Sequence, residues 1–158
     1  MAGAAADAGE GDVPLLVRVL AGNPLTSTIV LMCLNTADAR HLRRLHPAMP
    51  AVVAGVPWCD TETRVVDPVW WRAALPAAVG ARLAGRAVQW LLVSELAVAA
   101  LRGVTHLDLR ECTYVTNDLL LRLPTSLHTL NVRDCRNLTG HASFAHLTVL
   151  LSLNCSGT

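Results

Sequence analysis

The sequence predicts an α/β fold, in which a short solenoid of parallel strands plus helices is preceded by an all-α helical cap. Three observations lead to this prediction. An apolar pattern recurs every 23 residues in the C-terminal third of the chain, and helix-start signals are frequent in the N-terminal half. The composition is 53% hydrophobic but only 4% aromatic, so the core must be built from Leu, Val and Ala.

Length and charge exclude several classes of protein. The 158 residues are about the length of one ordinary domain, and 13 basic against 12 acidic residues give a net charge of +1. This balance argues against a nucleic-acid or membrane-binding surface, because both need concentrated positive charge. Residues 1–12 contain three acids and no Lys or Arg, unlike a secretory or mitochondrial leader. We therefore expect a cytoplasmic or nuclear protein.

The N-terminal half is expected to be helical. Residues 1–12 contain only small and acidic residues besides Met1, which predicts a disordered start. Residues 13–60 contain short apolar helical runs, one capped by Thr26 or Ser27 and one beginning after Asn35. Residues 61–87 are predicted to be a helical connector, in which Asp67-Pro68 starts one helix and an Ala-rich helix follows.

Residues 88–158 are predicted to be repeats. A shift of 23 residues superposes Leu107 on Leu130, Cys112 on Cys135 and Thr116 on Thr139, and a second shift reaches Leu153. The L-x-L core of each unit predicts a short strand with one apolar face, and neighbouring units must stack to bury it. An irregular first unit is expected to begin at Val88, and the last unit is incomplete.

Two resemblances follow from these residues. The segments LDLRECTYVT and LNVRDCRNLT resemble cysteine-containing leucine-rich repeats. Residues 13–60 resemble an F-box, a three-helix module of about 45 residues, through Leu34, Asp38, the Leu42/Leu45 face and Trp58. The chain departs from the F-box motif in its reversed Pro14-Leu15 and in His46-Pro47.

The combined resemblance implies a non-catalytic protein-interaction module, the substrate-recognition subunit of a cullin-type ubiquitin ligase. A Skp-type adaptor protein would bind through four leucines, namely Leu15, Leu34, Leu42 and Leu45. The alternative is a leucine-rich-repeat scaffold with no link to ubiquitin, in which the N-terminal helices only cap the solenoid. Both interpretations predict protein partners, with no nucleic acid and no membrane.

The outward-facing strand positions are the candidate protein-binding residues. They should form one polar, concave surface, made of His106, Asp108, Arg110, Thr129, Asn131, Arg133, Ser152 and Asn154. Arg110 and Arg133 would lie about 4.8 Å apart between backbones and would repel unless an acidic partner or Asp108 intervenes. Leu107, Leu109, Leu130, Val132 and Leu153 should be buried on the opposite side.

No catalytic or metal motif is present, so the sequence predicts neither an enzyme nor a cofactor. Five cysteines contain no C-x-x-C pair, and His41 and His46 lack the spacing of two ligands on one helical face. Cys112 and Cys135 are expected to be buried and inert. Because the last repeat stops at its strand, we expect a fragment of a longer repeat protein or a shortened family member, marginally stable or self-associating at that edge.

Overall fold

The computed structural model describes residues 13–158; the predicted disordered segment 1–12 lies outside the described residues. Between residues 13 and 158 the chain forms eight helices and five strands. In chain order they are α1 (Leu15–Gly22), α2 (Pro24–Leu31), α3 (Thr36–Leu42), α4 (Met49–Ala54), β1 (Cys59–Val65), α5 (Pro68–Ala74), β2 (Gly80–Leu83), α6 (Gly85–Val93), α7 (Glu95–Ala100), β3 (His106–Asp108), α8 (Asn117–Leu120), β4 (Thr129–Asn131) and β5 (Ser152–Asn154).

The strands form one parallel sheet in the order β1-β2-β3-β4-β5, so each strand pairs with the next strand along the chain. Adjacent parallel strands require a crossover connection, and α5 to α8 lie in three of these connections. The prediction of a mixed α/β fold with parallel strands is confirmed. The core lies between the sheet and the helices and is mainly aliphatic, as the composition requires.

The prediction of an all-helical connector over 61–87 is wrong, because both β1 and β2 enter this region. Only α5 forms as expected, with Asp67 accepting the Trp70 backbone N–H at 2.9 Å. The two strands approach closely at Gly80, where an added Cβ would lie 2.8 Å from the Cys59 Cα. Glycine therefore allows the close contact that pairs β2 with β1.

The irregular first repeat expected at Val88 is also wrong. This segment is helix α6, which buries Ala87, Val88 and Leu91 and leaves Val93 84% exposed. The apolar spacing of Val88 and Leu91 suits one face of a helix as well as a strand repeat. The strand that precedes β3 is β2, whose first residue pairs with His106, 26 positions later.

The 23-residue period is confirmed in the backbone from β3 onward. Leu107 pairs with Leu130, and Leu130 pairs with Leu153, in one register. The residue three positions after each of β3, β4 and β5 has a positive φ, 63° at Glu111, 57° at Asp134 and 73° at Gly157. These three strands are therefore followed by the same left-handed turn.

Burial follows the predicted alternation except at Asp108, which is buried between two buried leucines, and at the last strand. Leu107, Leu109, Leu130 and Val132 are each at most 1% exposed, as predicted. Leu153 is 39% exposed, against the prediction. The reason is its place in the sheet, since β5 is the edge strand and has a neighbour on one side only.

Four helices, rather than the three expected for an F-box, form within residues 13–60. Asn23 caps α2 by accepting from the Leu25 and Thr26 N–H groups, so Thr26 and Ser27 lie inside the helix instead of capping it. The expected start of α3 is confirmed, because Asn35 and Asp38 form a capping box. Trp58 is buried and its Nε1 donates to the Val53 carbonyl at 2.9 Å.

Candidate functional site

The parallel register aligns the candidate residues in rows across β3, β4 and β5. His106, Thr129 and Ser152 form one row, and Asp108, Asn131 and Asn154 form the next. We call the eight predicted protein-binding residues the polar face. The structure therefore brings the strand positions of this set together, as the repeat pattern predicted, but it gives its members different environments.

The side chains of Asp108, Asn131 and Asn154 form hydrogen bonds that stabilise the turns after their strands. Asp108 Oδ1 accepts the Arg110 N–H at 2.9 Å, Asn131 Oδ1 accepts the Arg133 N–H at 3.1 Å and Asn154 Oδ1 accepts the Ser156 N–H at 3.2 Å. Each bond closes an Asx turn over two residues. This recurring bond gives the row a structural role that the alternation pattern did not reveal.

Asp108 is only 5% exposed, which corrects its assignment as an outward binding residue. Its Oδ2 accepts from Asn131 Nδ2 at 3.2 Å and lies 3.2 Å from Arg110 Nε. A buried carboxylate needs such partners, because desolvation of an unpaired charge is costly. Asp108 therefore links β3 and β4 from within the structure.

The predicted repulsion between Arg110 and Arg133 is relieved by separate acidic partners. Arg110 contacts Asp108 and also donates to Glu62 Oε2 at 2.8 Å, whereas Arg133 Nε donates to Asp134 Oδ2 at 3.0 Å. The neighbouring Asp108 carboxylate, followed by the hydrogen bond to Glu62, raises the pKa of Arg110. Arg110 is half-buried and held in place, while Arg133 remains exposed.

Residues of β1 and β2 extend the polar face in a way that the sequence did not predict. Glu62 lies between two cations, 2.8 Å from Arg110 and 4.0 Å from Arg82, and Arg64 lies 3.8 Å from Glu111. The β-branched residues Thr61, Thr63 and Val65 alternate with charged residues, which is a strand signal. This signal could have placed Glu62 in a strand beside the repeats.

The remaining polar-face residues are the accessible ones. Ser152 and Asn154 are exposed on the edge strand, and Thr129 is half-buried. The ring of His106, also half-buried, lies with Nδ1 2.8 Å from the Thr105 hydroxyl. Together with Arg133, these side chains offer hydrogen-bond donors and acceptors to a partner at the β5 side of the sheet.

Three of the four predicted adaptor-binding leucines are exposed: Leu15 lies in α1, Leu34 in the loop between α2 and α3, and Leu45 in the turn after α3. Leu15 is 74% exposed, Leu45 is 65% exposed and Leu34 is 38% exposed. Leu42 differs from them, since it is half-buried and packs against the core, so its assignment to a binding surface is corrected. Leu42 lies on the side of α3 that packs against the core, so it does not share an exposed face with Leu45.

Helices α1 and α2 carry a set of exposed apolar side chains, of which only Leu15 was predicted as a binding residue. We call this set the α1–α2 apolar surface; it comprises Leu15, Leu16, Val19, Leu25, Ile29 and Val30. Such groups on one pair of helices are typical of a protein interface, because water disfavours large exposed apolar patches. Leu25 is 77% exposed and Ile29 70% exposed, the most open of the set besides Leu15.

The repeat cysteines are buried, as predicted, and each binds the preceding unit. Cys135 Sγ lies 3.2 Å from the Leu109 carbonyl, and Cys112 Sγ lies 3.6 Å from the Leu83 carbonyl. Burial, with a smaller effect of Cys135, raises the pKa of Cys112 to about 11, and burial also raises the pKa of Cys135. Both groups are therefore thiols at neutral pH, which disfavours nucleophilic chemistry at either position.

Within residues 13–158 no group of three His, Cys, Asp or Glu side chains is placed to hold a metal ion. No helix in that same range combines the length and apolar character needed to cross a bilayer. Comparisons with protein-family models, with curated proteins and with solved structures gave no match to this chain.

Proposed function

We propose that the chain is a non-catalytic protein-interaction module, in which cysteine-containing leucine-rich repeats form a short solenoid behind an F-box-like helical cap. The observation that carries the proposal is the three-dimensional equivalence of units 23 residues apart. Strand register, Asx turn and left-handed residue recur together after β3 and β4. Such quasi-identical stacking units are the defining property of repeat proteins, whose extended faces bind other proteins.

In this proposal the module is the substrate-recognition subunit of a cullin-type ubiquitin ligase. The α1–α2 apolar surface, together with the exposed Leu34 and Leu45, supports binding of a Skp-type adaptor protein, since a partner would remove these side chains from water. The accessible part of the polar face would contact the substrate; it comprises His106, Thr129, Arg133, Ser152 and Asn154.

A contact between α3 and β1 favours the alternative, a repeat scaffold with no link to ubiquitin. Asp60 Oδ2 in β1 accepts from the Thr36 N–H at 2.7 Å and from its hydroxyl at 2.8 Å. This contact attaches the N-terminal helices to the first edge of the sheet. Helices that serve only as a cap need such a contact and need no adaptor.

Binding of the full chain to a purified Skp-type adaptor, measured by calorimetry, separates the two functions. The ligase function predicts saturable binding that Leu15→Asp and Leu45→Asp together weaken by at least about tenfold, as for the loss of interface anchors. The matched control is Leu121→Asp, which is 60% exposed and lies next to α8, outside the proposed interface. It should bind as the unmodified chain does.

Absence of binding by the unmodified chain would reject the ligase function and leave the scaffold. Equal weakening by Leu121→Asp would also contradict the proposed interface, because it would mean that any added surface charge disturbs the complex. Circular dichroism of each variant confirms that the helical content is retained.

A further inference from the structure

A cavity of about 310 Å³ lies between α3, α5 and the end of β1, and none of its lining residues belongs to the eight-residue polar face or to the α1–α2 apolar surface. Arg40 and Arg43 line it from α3 and its C-cap, Arg64 lines it from β1, and Trp70 and Trp71 line it from α5. Its volume falls at the lower end of the range of small-molecule sites in proteins.

The charge of this cavity is predominantly positive. Three arginines line it, and among residues 13–158 the one acidic residue that lines it is Asp67, whose carboxylate already accepts the Trp70 N–H as a helix cap. Arg40 makes no ion pair within the described part of the chain and lies 5.1 Å from the centroid of the Trp70 ring. Among residues 13–158 the one ion-pair partner of Arg64 is Glu111 at 3.8 Å, and both side chains are exposed. These arginines can therefore bind an added anion without losing a strong partner.

Trp71, one of the residues that line this cavity, carries an unsatisfied donor. Trp71 is only 4% exposed, and its indole Nε1 has no hydrogen-bond partner among residues 13–158. An indole N–H is only a donor, and burying it without an acceptor costs free energy. An oxygen of a bound ligand would satisfy it. The unpaired indole N–H thus calls for a hydrogen-bond acceptor on the ligand, and the arginines call for a negative charge on it.

The rest of the wall is apolar. Val65, Val66 and Leu75 line the cavity beside the two indole rings. A ligand that fills it therefore needs an apolar, preferably flat, body as well as an anionic group. Because the guanidinium groups outnumber the carboxylate by two, a dianion matches the cavity better than a monoanion.

We infer that this cavity binds a phosphomonoester of a small aromatic compound. The phosphate oxygens accept from the Arg40 and Arg64 guanidinium groups and from the Trp71 indole N–H. The aromatic body packs against Trp70 and Val65. Arg43 contributes charge while its own Nη1 donates to the Ala74 carbonyl.

Calorimetric titration of the full chain with phenyl phosphate tests this inference. Saturable binding is expected, and Arg40→Gln and Trp71→Phe should each weaken it by about tenfold, the loss expected for one strong hydrogen bond. The phenylalanine variant keeps an aromatic ring but removes the donor. Matched controls are Arg86→Gln and Trp90→Phe, both in α6 and outside the cavity, which should bind as the unmodified chain does.

Three results would overturn the inference. The first is no binding of phenyl phosphate at millimolar concentration, and the second is unchanged binding in both Arg40→Gln and Trp71→Phe. The third is equal affinity for inorganic phosphate or for benzoate, because the first ligand lacks the aromatic body and the second lacks the dianion. The Leu15→Asp and Leu45→Asp changes leave the cavity intact, so loss of adaptor binding and loss of phosphate binding are distinguishable.

Discussion

Between residues 104 and 158 the same contacts recur with each unit, whereas residues 13–103 contain contacts that each occur once. In the first region, Leu107 and Leu130 occupy equivalent buried positions, and Asp108 and Asn131 close equivalent turns. In the second region, individual side chains reach across long sequence distances, as Asp60 does to Thr36 and Arg72 does to Ala100.

This difference explains how each region tolerates change. A repeated contact is stabilised by its neighbours on both sides, so the position of a unit in the stack decides its contribution. Leu130 and Leu153 illustrate this, since they share one register but are 0% and 39% exposed. A contact that occurs once has no equivalent elsewhere in the chain, so its loss removes a link between the two helices or strands that it joins.

The largest expected effect tests the repeated region. Leu130→Ala should lower the free energy of unfolding by about 2–5 kcal/mol, because it leaves a cavity in a fully buried position. Leu153→Ala removes the same atoms from an exposed position and should cost less than about 1 kcal/mol. Urea denaturation followed by circular dichroism measures both.

The surface control for this pair is Arg133→Ala, which should stay within about 0.5 kcal/mol of the unmodified chain. Equal losses for Leu130→Ala and Leu153→Ala would show that β5 is covered in solution, and equal losses for Leu130→Ala and Arg133→Ala would show that the strand register is wrong.

The second effect tests the single contacts. The Arg72 guanidinium donates to four carbonyls, those of Ala100 at 2.6 Å, Pro76 at 2.9 Å, Ala78 at 2.9 Å and Arg102 at 3.1 Å. It also lies 4.8 Å from the centroid of the Trp71 ring. Arg72→Lys keeps the charge but loses the planar fork, so thermal or urea unfolding should show a loss of about 1.5–3 kcal/mol.

Arg102→Lys is the matched control, because the Arg102 residue is exposed and only its backbone carbonyl takes part in this contact. Its stability should equal that of the unmodified chain. If Arg72→Lys were equally neutral, α5 would not depend on this contact, and the contrast between the two regions would fail.

The third effect is pH-dependent and concerns the junction between α3 and β1. Burial alone would raise the pKa of Asp60, but hydrogen bonds from Thr36, Thr63 and Glu62 outweigh it and lower the pKa to about 2. A lowered pKa means that the carboxylate stabilises the fold above its ordinary value of 3.8 and loses this effect as pH falls toward 2. After solvent screening, the contribution is about 1 kcal/mol.

Asp60→Asn should therefore be about 1 kcal/mol less stable than the unmodified chain at pH 6, and the difference should vanish near the folded-state pKa of about 2. Urea titrations across this range measure it. Asp118→Asn, which changes an exposed carboxylate, should show no such difference at either pH. A constant deficit of Asp60→Asn at every pH would mean that the hydrogen bonds, rather than the charge, stabilise the junction.

The sequence alone determined the strands β3, β4 and β5, their register and the buried leucines of β3 and β4. The physical reason is local: a strand alternates its side chains every two residues, and a stacked unit must repeat its apolar pattern at constant length. The same reasoning placed the buried cysteines and the capped starts of α3 and α5. It did not find β1 and β2, because their sequences share too little of the pattern.

Only the tertiary structure decided which of these residues are accessible and what they contact. Asp108 is buried because Arg110, Asn131 and the adjoining strands cover it, whereas Leu153 is exposed because β5 lies at the edge. Glu62 meets Arg110 across 48 positions of chain, and Trp71, which lines a basic cavity, carries a donor without a partner among residues 13–158. Which side chains are buried, and which partners they contact, depends on surfaces that distant segments of the chain bring together. The 23-residue sequence repeat carries no information about these surfaces.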